Sequence, residues 1–235
     1  MEPLDVDVVH WHLSRQQGRL GDLRSLLAPD ELARAERLAL PAHRARFVLA
    51  RGLLRHTLGA FAGRDPAALR FAVGEHGKPS LIDGSVDFNM AHAGDGLVIA
   101  VTQGGTVGCD LEPLRPVPQA AAIARQWFSP AERQWMNELS GVALDRAFLS
   151  CWVRKEAVLK ALGTGLQAPL AFTAGPADPD GLPCRLTVAG RDCWLVDLAL
   201  RPGYAAAVAA DRPIRPAVLM PDGIEALHMR YAPIA

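Results

Sequence analysis

Two short segments hold residue types that can do chemistry together: Val107-Gly108-Cys109-Asp110-Leu111-Glu112-Pro113 and Trp152-Val153-Arg154-Lys155-Glu156-Ala157-Val158-Leu159-Lys160. As a strand, the first puts Asp110 and Glu112 on one face, because strand side chains alternate with a period of two. As a helix, the second puts Glu156 and Lys160 on one side, four residues apart. Two strand carboxylates and a helix carboxylate are three hard oxygen donors of the kind that Mg²⁺ takes beside substrate phosphates. An adjacent lysine suits the negative charge that develops in phosphoryl chemistry. The combination points to Mg²⁺-dependent transfer.

The elements that must hold these residues follow from the pattern along the chain. Val6 to Leu13 alternate, which predicts a half-buried strand with Val9, Trp11 and Leu13 inward and His10 and His12 on an exposed polar face. Ala28-Pro29-Asp30 opens a helix, and Pro41 opens another that is expected to run to about Leu58, before Gly59. On that second helix Arg44, Arg51 and Arg55 share one stripe. From Arg37 to Arg64 inclusive there are six arginines and no acid. Buried arginines need anions, either carboxylates from elsewhere in the fold or the phosphates of a ligand.

Strands are predicted over Arg70-Phe71-Ala72-Val73, Val86 to His92 and Leu97 to Thr102. Gly104-Gly105 then marks a boundary between an N-terminal subdomain, 1–105, and a C-terminal subdomain, 106–235. In the second subdomain Ser129, Pro130 and Glu132 form a capping box, which by itself explains Glu132. A helix is expected from about Asp145 to Leu162, closed by Gly163. Arg185 to Val188, Cys193 to Val196 and Tyr204 to Ala210 read as strands, the last of them final, with a proline-rich surface extension after it. Helical segments followed by short strands occur in both halves, which is compatible with an α+β pseudo-dimer.

Composition narrows the class. Half of the 235 residues are hydrophobic and 21% are charged, so a core is affordable and disorder is not expected. The formal net charge of zero argues against a protein that coats nucleic acid. Cys109, Cys151, Cys184 and Cys193 form no Cys-x-x-Cys pair, and reduced thiols are expected rather than a zinc or disulfide framework. The acidic amino terminus lacks a leader pattern, and no run of about 18 apolar residues occurs, so a soluble cytoplasmic monomer is expected.

The ordered segments Gly77-Lys78-Pro79, Phe88-Asn89-Met90-Ala91-His92, Val107 to Glu112, Phe128-Ser129-Pro130-Ala131-Glu132 and Trp152 to Lys160 resemble the signature of 4′-phosphopantetheinyl transferases of the surfactin-synthetase type. The likeness extends from about Arg46 to Gly165. It implies a pseudo-dimer of two similar α/β subdomains with coenzyme A in the cleft between them. It also implies transfer of the 4′-phosphopantetheine arm of coenzyme A to a serine of an apo acyl, peptidyl or aryl carrier protein, releasing adenosine 3′,5′-bisphosphate.

Carried over by position, the resemblance makes Asp110, Glu112 and Glu156 the Mg²⁺ ligands, since Leu111 has no donor. Lys155 and Lys160 would face the pyrophosphate, and His92 and Lys78 would contact coenzyme A phosphates. Arg46 and Arg51 lie near the adenine-side phosphates of relatives, with Arg44 and Arg55 as neighbours on the same helix. Glu132 would activate the serine, with Lys160 assisting catalysis. Ala91 stands where many relatives carry a serine, which removes one hydroxyl contact. The competing reading is a catalytically silent coenzyme A or carrier-protein binding module, which has no need of a complete carboxylate triad.

Overall fold

In the computed structural model β1 (Leu4–His12) is buried on both of its faces: Leu4, Val6, Val8 and His10 point one way, Val9 and Trp11 the other. A strand with two apolar faces belongs inside a layered fold, and both faces are covered here. The structure describes residues 2–74, 76–164, 170–176, 178, 180–200, 202–222 and 227. The expected end of the sequence likeness at Gly165, and residues 223–226 and 228–235 of the expected C-terminal extension, lie outside these.

After β1 come α1 (Leu20–Ser25), α2 (Pro29–Glu36) and the long α3 (Pro41–Ala62). The short hairpin β2 (Phe71–Val73) and β3 (Pro79–Leu81) precedes β4 (Asp87–Ala93) and β5 (Gly96–Thr102). The second half runs β6 (Val107–Pro113), α4 (Ala120–Trp127), α5 (Pro130–Asn137), α6 (Gly141–Leu162), β7 (Cys184–Val188), β8 (Arg191–Asp197) and β9 (Tyr204–Ala210). β10 (Ile214–Leu219) follows.

Two four-stranded sheets result, ordered β10-β1-β5-β4 and β6-β9-β8-β7. α3 covers the outer face of the first, where Leu49, Leu53, Leu54 and Leu58 meet Val9, Trp11, Phe88, Leu97 and Ile99. α6 covers the second, where Val153, Ala157, Val158 and Ala161 meet Cys193, Leu195, Ala207 and Ala209. The inner faces of the sheets meet in a third core built from Val6, Val8, Val98, Ala100, Cys109, Leu111, Ala206 and Val208. The α+β fold expected from the sequence is present.

That shared core corrects the expectation for β1. His10 is 1% exposed rather than solvent-facing, because its face of β1 looks onto the second sheet, with the Tyr204 ring edge-on at 5.7 Å. The C-terminal stretch departs from expectation too. β10 returns to the first sheet and runs parallel to β1, Leu4 opposite Ile214 through Val9 opposite Leu219, so Ile214–Leu219 pair with the N-terminal half. Helix ends also differ. α3 passes through Gly59 to Ala62 and stops at Gly63, whose φ of +63° is left-handed, and α6 begins at Gly141, four residues before the expected start, and stops at Gly163 with φ +67°.

The sheets are sutured by side chains where β4 lies beside β6. The Asn89 Oδ1 accepts from the Cys109 amide at 3.0 Å, and the Asp87 carboxylate accepts from the Val107 amide at 2.7 Å. These bonds fix β6, the strand that carries the acidic motif, against the N-terminal half.

Candidate active site

β6 alternates as its sequence requires. Val107, Cys109 and Leu111 enter the inter-sheet core, so Gly108, Asp110 and Glu112 face α6. Gly108 sets how closely the helix can lie, since a Cβ there would stand 2.2 Å from the Ala157 carbonyl oxygen and from the Ala161 nitrogen. With no side chain in the way, the backbone of α6 lies directly on β6. That contact brings Lys160 to Asp110.

Lys160 Nζ donates to Asp110 Oδ1 at 2.7 Å and to the Cys109 carbonyl at 3.3 Å. Burial pushes the Asp110 carboxyl up to about 6; Lys160 opposes the shift, while Glu156 and Glu112 add to it. Burial likewise raises Glu156, with Lys160 opposing and Glu112 adding. For Lys160 burial disfavours the charge, but the attraction and hydrogen bond of Asp110 outweigh it, and its pKa lies above the ordinary lysine value. Asp110, Glu112 and Glu156 therefore share one electrostatic site with a single ammonium among them.

Such a donor set suits a hard divalent cation: three carboxylates in a partly desolvated pocket carry more negative charge than Lys160 and Arg115, 3.6 Å from Glu112 at the exposed rim, neutralise. Among the described residues no group of three or more histidine, cysteine, aspartate or glutamate side chains is placed so that it could hold a metal ion. The carboxylates stand within mutual electrostatic reach, with Lys160 holding one of them.

Across the β4–β6 suture lies His92. Its Nδ1 is 3.4 Å from Arg46 Nη2, and its pKa is lowered by burial first, then by the charges of Arg46 and Lys160. Arg46 and His92 line a cleft of 710 Å³ together with Arg34, His43, Phe47 and Met90, and with the acids Asp30 and Glu31, of which Glu31 is paired with Arg51, leaving the arginines in slight excess. The cationic cleft and the acidic cluster thus meet through His92 and Lys160.

Four of the expected site residues have protein partners. Lys155 and Glu132 form an ion pair at 2.8 Å in which both side chains are 0% exposed. Glu132 also accepts from the Ser129 amide at 2.9 Å, the Ala174 amide at 2.8 Å and the Gly175 amide at 3.2 Å. Lys155 donates to the Leu170 carbonyl at 2.7 Å and to the Phe172 carbonyl, and lies 5.0 and 4.5 Å from the Phe128 and Phe172 ring centres. Both groups are enclosed by protein partners; the capping box accounts for Glu132, and Lys155 completes the seal.

Lys78 bonds to Asp87 at 2.7 Å and to the Val107 carbonyl at 2.9 Å, so its ammonium strengthens the suture rather than reaching into the cleft. Arg51 pairs with Glu31 and stacks 4.2 Å from the Phe71 ring centre, and Arg55 bonds to the same carboxylate at 2.6 Å. Of the two explanations open for the arginine stripe, an internal carboxylate accounts for Arg51 and Arg55. Arg44 donates to the Leu38 carbonyl at 3.2 Å.

The sequence reading missed Glu31, Asp87, Asn89 and the packing role of Gly108. A signal existed for the suture: Asp87 and Asn89 are two apart on β4, the same spacing as Asp110 and Glu112 on β6.

The geometry is that of a two-sheet α+β protein with an acidic cluster and lysine beside a cationic cleft. A family model described as the 4′-phosphopantetheinyl transferase superfamily matches residues 106–209. The chain is 37% identical over 167 residues to 4′-phosphopantetheinyl transferase HetI of a Nostoc species, an overlap covering 68% of this chain and 70% of that protein. It is 27% identical over 191 residues to 4′-phosphopantetheinyl transferase Sfp of Bacillus subtilis, covering 80% and 84%. It is 32% identical over 121 residues to 4′-phosphopantetheinyl transferase AcpT of Escherichia coli K12, covering 51% and 58%. The chain belongs to the 4′-phosphopantetheinyl transferase superfamily. Among the described residues no helix is long and apolar enough to cross a membrane.

Proposed function

We propose that this protein moves the 4′-phosphopantetheine arm of coenzyme A to a serine hydroxyl of an apo acyl, peptidyl or aryl carrier protein, with Mg²⁺ held by Asp110, Glu112 and Glu156. The observation that carries the reading is the adjacency of a cleft lined by Arg34 and Arg46, with a neutral His92 beside them, to a three-carboxylate cluster with one lysine. A long ligand with phosphates along its middle and a reacting pyrophosphate is what such a pair of sites fits. Names of the relatives support the same reaction.

The chain's own side chains have separable tasks in this proposal. Arg46 and His92 bind the adenine-side phosphates, with His92 neutral at pH 7 because its pKa is held below the ordinary 6.5. Asp110 holds the Lys160 ammonium at the edge of the cluster, where it stabilises charge on the departing phosphate. Asp110, Glu112 and Glu156 would hold Mg²⁺, which would supply charge neutralisation to the pyrophosphate. The serine oxygen forms a bond to the phosphorus that carries pantetheine, the bond to adenosine 3′,5′-bisphosphate breaks, and the serine proton leaves to solvent or to an open carboxylate. Glu132 is assigned no proton, since its oxygens are committed to three amides and Lys155.

The test is the intact mass of a purified apo carrier protein after incubation with this protein, coenzyme A and Mg²⁺, alongside an EDTA control. A gain of one phosphopantetheine that EDTA abolishes supports the reading. Coenzyme A binding without any gain across acyl, peptidyl and aryl carriers moves it to a silent binding module.

A further inference from the structure

The Lys160 ammonium is held by two oxygens of β6. Its Nζ lies 2.7 Å from Asp110 Oδ1 and 3.3 Å from the Cys109 carbonyl oxygen, a carboxylate and a backbone oxygen of the kinds that hard cations also take. The charges of Glu156 and Glu112 act on Asp110 as well. Lys160 therefore stands at the most negative part of the acidic cluster. Arg115, the other cation nearby, is 3.6 Å from Glu112 and half-exposed at the rim.

That place does not suit two cations at once. Asp110 is nearly buried, and a divalent ion on the same carboxylate would repel the ammonium strongly in a partly desolvated site. Among the described residues no three acids are placed to hold a metal ion, and the Lys160–Asp110 bond gives a physical reason: it commits one of the three carboxylates. The ammonium is also able to leave. Lys160 lies in the last turn of α6, before Gly163, its side chain is partly exposed, and a lysine stem is flexible. Its charge reaches His92, so it stands near the rim of the cleft where phosphates would arrive.

We propose that Lys160 is a built-in stand-in cation: it holds Asp110 until the pyrophosphate-bearing ligand draws the ammonium away, and only then is the carboxylate open to Mg²⁺. The inference rests on the assignment of Asp110, Glu112 and Glu156 to the metal. It makes the lysine the link between two binding events. The ligand tightens Mg²⁺ binding by releasing Asp110, and Mg²⁺ tightens ligand binding by the same factor. Removing Lys160 removes the competitor, so Mg²⁺ alone should bind more tightly to a protein whose reaction is slower. A lysine that acted only on the departing phosphate would give no such gain.

The experiment is calorimetric titration of Mg²⁺ into the full chain without any carrier protein, in the absence and presence of coenzyme A. In the absence of coenzyme A, Lys160→Met is expected to bind Mg²⁺ about tenfold more tightly than the wild type, the equilibrium factor for one hydrogen bond between charged groups. The tightening that coenzyme A brings should shrink by the same factor in the variant. Lys160→Gln gives the same comparison should the Met variant not fold. Arg115→Met, which removes an equal charge from the rim, should change Mg²⁺ binding by no more than about twofold, as exposed ion pairs do. Unchanged or weaker Mg²⁺ binding in the folded Lys160 variant, or an equal gain in Arg115→Met, overturns the stand-in role while the metal site stands. Undiminished Mg²⁺ binding in Asp110→Asn overturns the metal assignment itself and the stand-in role with it.

Discussion

Two lysines five residues apart on α6 each bond a carboxylate, and the two pairs have opposite character. Lys155 and Glu132 are sealed, both side chains 0% exposed, with three amides and two carbonyls completing their partners. Lys160 and Asp110 are 29% and 11% exposed and sit beside two further carboxylates that have no such enclosure. Burial lowers the Lys155 pKa, while Asp110 holds that of Lys160 up against the same penalty. A sealed pair whose hydrogen bonds are complete fixes α5, α6 and the chain around Ala174; an open pair with surplus negative charge can rearrange around a ligand. In the proposed reading, position on one helix, not residue type, separates scaffold from chemistry.

The largest expected effect separates the pairs at the open end. Asp110→Asn removes a donor from the cluster and the partner of Lys160, and is expected to reduce carrier modification by about 10³-fold. Because it also relieves repulsion among three carboxylates, its thermal midpoint should equal or exceed that of the wild type, read by calorimetry without Mg²⁺. A collapse in the midpoint would make Asp110 structural.

At the sealed end the expected loss is in stability. Glu132→Gln leaves the Lys155 ammonium buried and uncompensated, and is expected to cost about 3–5 kcal/mol in denaturant unfolding. Normal stability with a steep fall in rate would restore Glu132 as the base. Glu31→Gln makes a smaller analogue in the other half: it takes the carboxylate from Arg51 and Arg55, of which Arg55 also bonds the Pro66 and Leu69 carbonyls. An expected loss of about 2–3 kcal/mol follows from hydrogen bonds to charged groups, and an unchanged midpoint would contradict the pairing.

The smallest effect is a pH dependence at the meeting point of cleft and cluster. His92 has a folded pKa below 6.5, so the unfolded chain binds its proton first as pH falls. Its contribution to stability is present above 6.5 and is lost as pH drops through the window beneath that value. His92→Gln should therefore flatten the pH-stability curve in that window; an unaltered slope would count against the burial of a neutral imidazole beside Arg46.

Local chemistry made much of this legible. Ser129 caps α5 with Glu132 at its third position, as the capping box requires, and Gly163 closes α6. The alternation in β6 put Asp110 and Glu112 on one face, and α6 brought Lys160 to that face. What stayed hidden depends on partners distant in sequence. His10 looked exposed because nothing local says that a second sheet covers its face. β10 contains Pro216 and lacks clean periodicity, yet it pairs with β1, an edge position where a proline is tolerated. Lys155 and Lys160 read alike along the helix, and only the segment around Leu170 and Phe172 distinguishes them.

The decisive measurement is the single-turnover rate of phosphopantetheine transfer to an apo carrier, followed by intact mass and normalised to folded protein, for Lys155→Met and Lys160→Met side by side. Lys155→Met is expected to stay within a few-fold of the wild-type rate per folded molecule, and Lys160→Met to lose about 10²-fold or more. Equal losses in both, or a greater loss in Lys155→Met, would contradict the division between a sealed pair that holds the fold and an open pair that serves the reaction.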